Sequence, residues 1–570
     1  MTDTPIDPAT DPVTDPATDP ATGLATGLAN DYHEHRLRTR PTWAQMIGDY
    51  RYVDRFEDVS RDAEDAVLAQ LREFADRAAA IPDDALDVQQ RITRDMVARD
   101  ATATAAMLES RTEEFAANPI FGQQAGLQVV VPMLALPDAA AADGMAGKYA
   151  GVATYFRDSA ERHRQGVAAG RTPAEFAVRQ TVEQLDSWLA TDVDEDPLLR
   201  TQQPPEGVDR DAWRQRLVEV IEQQVRPAVA YYRDVLRDEV LPHVRPDEKC
   251  GLTWLPGGDE VYARALRYFT TTELTAQEIH EIGLQQIASL EKEYAALGPE
   301  VVGTDDVAAI FEALRSDPAL HHTSGEEIVE DSKTAMARAK AAMPDWFEVL
   351  PQSDCGVEPT VNGAKAFYFP PASDGSRGGT FFMNVTDPES WGRFEIEAVS
   401  YHEGIPGHHL QLAIAAELES VPEFRKRAFI AAYGEGWGLY TERLADEMGL
   451  YSTPTDRIGM LSADSMRACR LVVDTGMHAL GWSRDRAIDY LLANSPMRPG
   501  HVAAEIDRYA VTPGQALSYM IGRIEIQRIR RAAEERQGAS FDIKAFHDAV
   551  LDSGPMPLGL LDQVVGARLR

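Results

Sequence analysis

The sequence predicts a mainly α-helical, two-lobed protein with a small antiparallel β-sheet. Three observations predict it. Apolar residues at Leu217, Ile221, Val225, Ala228, Tyr232, Leu236 and Val240 recur every three or four positions, the spacing that lays one helix face against a neighbour. The chain has 570 residues, more than the size at which one hydrophobic core usually keeps growing, so a second lobe is expected. Two convincing strand runs occur, Phe367-Tyr368-Phe369 and Thr380 to Val385, joined by a Pro-, Gly- and Ser-rich loop that reads as a hairpin connection.

In chain order, residues 1–30 repeat Thr-Asp-Pro-Ala and then Ala-Thr-Gly-Leu, with too little apolar bulk to offset the entropy of ordering, and read as a disordered tail. Residues 31–250 read as a helical lobe, with loops expected at the Ala-rich stretch from Pro137 to Gly144 and the acidic, Pro-rich stretch from Asp194 to Gly207. The segment from Gly251 to Gly258 separates this lobe from residues 251–570, which hold the hairpin and a second set of helices. Asp387-Pro388-Glu389 reads as a helix start, with Asp as N-cap and Pro at the first helical position, leading into Phe394 to Tyr401.

Hydrophobic content of 44% and charged content of 26% are those of a soluble protein, but the formal net charge of −36 excludes two classes of partner. A phosphate backbone or an anionic lipid surface is bound by clustered Lys and Arg, and no such cluster occurs, so neither nucleic acid nor membrane is an expected partner. Cys250, Cys355 and Cys469 lie more than a hundred residues apart and form no thiolate metal motif or disulfide framework. No basic segment followed by an apolar stretch opens the chain, and no run of about 18 apolar residues follows, so the cytoplasm is the expected compartment.

The chemistry concentrates in His402-Glu403-Gly404-Ile405-Pro406-Gly407-His408-His409, which sets three of the thirteen histidines beside a glutamate. Imidazole is the commonest zinc ligand, and catalytic zinc keeps three protein ligands plus a water. The string resembles the H-E-x-x-H helix of zinc peptidases but is two residues longer. On a straight helix His402 and His408 would lie about 120° apart around the axis, and His402 and His409 roughly 10 Å apart along it. Gly404, Pro406 and Gly407 interrupt such a helix, so the chain is expected to break after Glu403 and restart near Pro406, a bulge that can swing His408 back toward His402. A third ligand is sought in Tyr433-Gly434-Glu435-Gly436-Trp437-Gly438-Leu439-Tyr440-Thr441-Glu442, where Glu435, flanked by glycines, is preferred and Glu442 reads as a helix-surface carboxylate.

Together with HEGIPGHHLQ and EGWGLYTE, the run RLVVDTGMHALGWSRDRAI from Arg470, GQALSYMIGRIEIQRIR from Gly514 and FHDAVLDSGPMPL from Phe546 resemble the bacterial domain of unknown function 885, from about residue 30 to the end. The resemblance implies a zincin-like fold with a deep cleft, similar to the helical gluzincin peptidases. Carried onto this sequence, it implies His402, His408 and Glu435 as ligands of one zinc ion per chain, with His409 as the alternative second histidine, and Glu403 as general base. It further implies Tyr519 as the tyrosine that polarises the scissile carbonyl, with Tyr509 as a second candidate at the substrate. The hairpin resembles the edge strand on which gluzincins lay an extended substrate, which makes Arg377 and Asn384 candidate substrate contacts; a purely structural sheet is the alternative. Arg523, four residues after Tyr519, is a candidate clamp for a substrate carboxylate or else a salt-bridge partner. The expected function is zinc-dependent hydrolysis of peptide or amide bonds. The alternatives are a metal-dependent biosynthetic enzyme or amidohydrolase acting on a small molecule, and a non-catalytic binding protein on the same fold.

Overall fold

In the computed structural model the described residues are 20–361, 363–371, 377–419 and 421–570, and they are mainly helical. The first helix, Pro20–Thr39, buries Ala25, Leu28, Ala29 and Tyr32, an i, i+3, i+4, i+7 stripe hidden within the Gly-Leu-Ala repeat. Residues 20–30 are therefore not part of a disordered tail as expected; residues 1–19 lie outside the described residues. Low-complexity composition concealed a helical period. The loop expected from Pro137 to Gly144 is likewise mostly the start of helix Ala139–Ala168, because alanine is the best helix former and Asp138 caps it by accepting from the Ala141 amide at 2.8 Å.

The packing does not divide at residue 250. Leu28, Leu71, Phe74 and Met96 share a core with Tyr433, Trp437, Phe546 and Leu561, so the N-terminal helices pack on the C-terminal ones. A separate core runs through Tyr149, Phe156, Leu217, Val225 and Leu236. There the expected stripe from Leu217 to Val240 is buried on a continuous helical run that contains two π-helical turns, Ile221–Val225 and Leu236–Val240. A proline follows each turn by two residues, Pro227 and Pro242, and lacks the amide that an α-helical ladder would need there.

The sheet has three strands, β1 (Cys355–Thr360), β2 (Ala366–Phe369) and β3 (Gly379–Asn384), in the order β1-β3-β2. β2 and β3 form the expected antiparallel pair, with Phe367 opposite Phe382. β1 pairs parallel to β3, with Val357 opposite Phe381, so the sheet is mixed rather than antiparallel. β1 escaped the sequence reading because it carries Gly356 and Pro359, residues that weaken strand patterns but are tolerated on an edge. Val357, Phe381 and Met383 bury one face against Ile328, Trp391 and Ile396, which anchors the sheet beside helix Glu395–Glu403. That helix starts later than expected: Pro388–Ser390 is a 3-10 turn, and Asp387 makes no side-chain cap. Among the described residues no helix is long and apolar enough to cross a membrane.

Candidate metal centre

Helix Glu395–Glu403 ends at Glu403, and the chain restarts as helix His408–Glu417, as the glycine and proline pattern required. The turn between them is tightly held. Trp437 Nε1 donates to the Pro406 carbonyl at 3.0 Å, and a Cβ at Gly407 would sit 1.9 Å from the His402 carbonyl oxygen, so a side chain there would force the turn apart. The turn sets the His402 and His408 rings edge to face, with centroids 4.7 Å apart. Ligating atoms of His402, Glu403 and His408 all lie within 4.8 Å of one another.

Helix Ala431–Glu447 supplies the carboxylates. The i, i+7 spacing of Glu435 and Glu442 puts both on one face, and each meets a different nitrogen of His402. His402 Nδ1 donates to Glu442 Oε1 at 2.8 Å, while its Nε2 lies 3.5 Å from Glu435 Oε2. His408 Nε2 lies 3.4 Å from that same oxygen. Gly438, one turn along, lets the imidazole rest on the helix, since a Cβ there would fall 2.7 Å from His402 Cε1. Glu442 is thus not a surface carboxylate as expected but 1% exposed, orienting His402 from behind.

Two carboxylates compete for the place beside the imidazoles. Glu403 falls within the 4.8 Å group, but Glu435 makes the shorter approach, and a single oxygen of it meets both Nε2 atoms. Its separations of 3.4 and 3.5 Å exceed an ordinary hydrogen bond of about 2.7–3.2 Å. They match the roughly 3.4 Å between two ligands that share a tetrahedral ion at about 2.0–2.1 Å. His402, His408 and Glu435 could therefore hold a zinc ion, leaving Glu403 free beside it. Burial opposes charge on His402, but Glu435 and Glu442 outweigh it and raise the imidazole to about 9. Burial also pushes the Glu435 carboxyl up, and the two imidazoles overcome it, holding the group well below the usual carboxylate range.

Tyr519 reaches the centre because Gly436 and Gly522 let helices Ala431–Glu447 and Ser518–Gln537 touch backbone to backbone; a Cβ on Gly436 would meet Gly522 Cα at 2.5 Å. Its ring stacks over His402, with centroids 6.2 Å apart and planes 19° from parallel. Burial, aided by Glu435, pushes the phenol up to about 12 against the opposing Arg470, Arg508 and Arg467, so it remains a donor at neutral pH.

The other candidates lie elsewhere. His409 faces the sheet: Nε2 donates to the Ser353 carbonyl at 3.0 Å, so Nδ1 accepts from the Tyr368 hydroxyl at 2.9 Å, and neither nitrogen is left for a metal. Arg523 is 4% exposed and, on the same side of its helix as Tyr519, is bonded to Asp464 of helix Pro454–His478 at 2.6 Å and to Gln286 at 2.9 Å. It is a salt-bridge partner, not a clamp. Arg377 bonds the Gly378 and Pro370 carbonyls within its own loop. Asn384 bonds the Gly363 carbonyl and the Thr386 amide. Neither lines the cavity at the centre. Tyr509 is 1% exposed and holds Arg470 rather than facing the cavity, its hydroxyl accepting from Arg470 Nε at 2.7 Å.

That cavity, of about 620 Å³, is lined by His402, Glu403, His408, Glu435 and Tyr519, and on another side by Lys365 to Tyr368 of the edge strand β2 and the residue before it. Arg467 and Arg470 of helix Pro454–His478 and Arg508 of helix Pro499–Val511 also line it, and these three were not singled out from the sequence. Their only sequence signal is the i, i+3 spacing of Arg467 and Arg470, which a solvated helix face also shows.

The fold is mainly helical with a small mixed sheet, and it brings His402, Glu403 and His408 together. The chain belongs to the family described as bacterial protein of unknown function (DUF885), which it matches over residues 41–565. The fold is shared with a crystal structure of a "putative lipoprotein" from Colwellia psychrerythraea, 24% identical with a TM-score of 0.89, covering 97% of this chain and 100% of that one. A second structure, of a "putative lipoprotein of unknown function" from Shewanella oneidensis, is 17% identical with a TM-score of 0.76, covering 95% and 99%. No curated protein matches the chain.

Proposed function

We propose that this protein is a zinc-dependent hydrolase of peptide or amide bonds on a helical, zincin-like fold, with one ion held by His402, His408 and Glu435. The observation that carries the reading is the single Glu435 oxygen lying 3.4 and 3.5 Å from the Nε2 atoms of two histidines. When bound, zinc lowers the pKa of a coordinated water from about 15.7 toward about 7. Glu403, next to His402 in sequence and beside both imidazoles in space, takes the proton of the attacking water and returns it to the leaving amine. Tyr519 donates its hydroxyl proton in a hydrogen bond to the oxyanion that develops on the acyl carbon. Glu442 fixes the His402 tautomer, leaving Nε2 to face Glu435 and the cavity. The edge strand β2 offers backbone groups along which an extended substrate can lie.

The test is a panel of short peptides and acylated amines, offered to protein stripped by a chelator and to the same protein resupplied with zinc. Cleavage of at least one peptide or amide that vanishes on stripping and returns with zinc is the expected result. Cleavage unaffected by the chelator, or none with zinc present, contradicts the reading.

A further inference from the structure

We infer that Arg470, Arg508 and Arg467 form a subsite for a substrate carboxylate beside Tyr519, so that the bond cleaved is the amide next to a free C-terminus. The cleavage half of this rests on the hydrolase reading; the binding half does not. Among the described residues Glu505 alone serves two of these cations: its Oε2 accepts from Arg470 Nη2 at 2.8 Å and lies 3.4 Å from Arg508 Nη2, while also accepting from the Tyr509 hydroxyl. Two guanidinium groups thus share one carboxylate, and the wall keeps a surplus positive charge. Arg467 is no better matched, because Glu442, 3.6 Å away, is already engaged with His402.

The hydrogen bonds show the same deficit. Arg470 is 4% exposed; its Nε and Nη2 are bonded, but its Nη1 is buried without a partner among the described residues. Arg508 Nε and Nη2 and Arg467 Nε are also buried without hydrogen-bond partners among the described residues. Leaving charged donors buried and unsatisfied is costly, and a planar carboxylate that accepts two parallel N–H bonds is the ligand whose shape matches a guanidinium. The position is also informative: the guanidinium carbons of Arg470 and Arg467 lie 4.6 and 5.7 Å from the centroid of the Tyr519 ring, the same ring that stacks on His402. One phenol therefore separates the surplus cations from the metal centre, which leaves little room for chain between the anion and the reacting amide. In a protein of net charge −36, whose field repels anions, such a local wall is what would draw one in. In the resulting reaction the water oxygen bonds to the acyl carbon, the C–N bond breaks, and Glu403 passes the water's proton to the nitrogen of the departing amino acid.

The test uses N-acetyl-Ala-Phe and its C-terminal amide, titrated calorimetrically into Glu403→Gln protein as purified, which should bind without turnover. The free acid is expected to bind at least about tenfold more tightly than the amide, roughly one charge-assisted hydrogen-bonded contact. Arg508→Gln and, as a second variant in case the first misfolds, Arg467→Gln should each reduce that ratio toward one. Equal affinity for the two peptides, including no binding of either, overturns the subsite, as does a ratio unchanged in both variants. Cleavage of the free acid by the zinc-loaded wild-type protein is measured separately. A binding preference without cleavage of this peptide or of any member of the panel leaves the carboxylate site standing and removes the hydrolase reading, so the two failures are distinguishable.

Discussion

Glu403→Gln is expected to keep its bound zinc and its melting temperature while losing about 10²–10⁴ in turnover, the range spanned by general acid–base catalysis. The change removes a proton acceptor without altering size, and Glu403 stands beside the imidazoles without making the close approach that Glu435 makes. Metal content, thermal unfolding and steady-state kinetics on the first substrate found check the three parts. A fall in metal content would make Glu403 a ligand, and undiminished turnover would remove it from the mechanism.

Tyr519→Phe is expected to lower kcat by about 10²–10³ and to leave KM nearly unchanged, by analogy with other oxyanion donors. A hydroxyl that bonds the developing oxyanion more strongly than the ground-state carbonyl stabilises the transition state selectively. The rest of the ring, stacked on His402 and packed against Arg470, stays in place in the variant. An effect confined to KM would assign Tyr519 to substrate binding instead.

The parts of the centre legible in the sequence were those written as residue type and spacing. The glycines and proline between His402 and His408 announced a broken helix, and the glycines around Glu435 announced a close approach; both features are present. Glu442 was within reach of the same reasoning: seven residues from Glu435 it had to share that helix face, and only the assumption that a helical glutamate is solvated hid it. Arg523 misled for the complementary reason. Its spacing from Tyr519 fixes a direction only on its own helix, and the neighbouring helix placed Asp464 there. Arg467, Arg470 and Arg508 could not be distinguished from surface arginines, because which helix face borders a cavity is decided by tertiary packing. The helix Pro20–Thr39 and the strand β1 were missed where composition, rich in Thr, Ala and Gly or carrying Gly and Pro, masked a usable period.

The measurement that bears most directly on a zinc centre at His402, His408 and Glu435 is elemental analysis of the purified, dialysed protein beside its Glu435→Ala variant. About one zinc per chain in the native protein, and loss of that zinc in a variant that still folds, is the predicted result. A native protein that takes up no zinc, or a Glu435→Ala protein that retains a full equivalent, would contradict it.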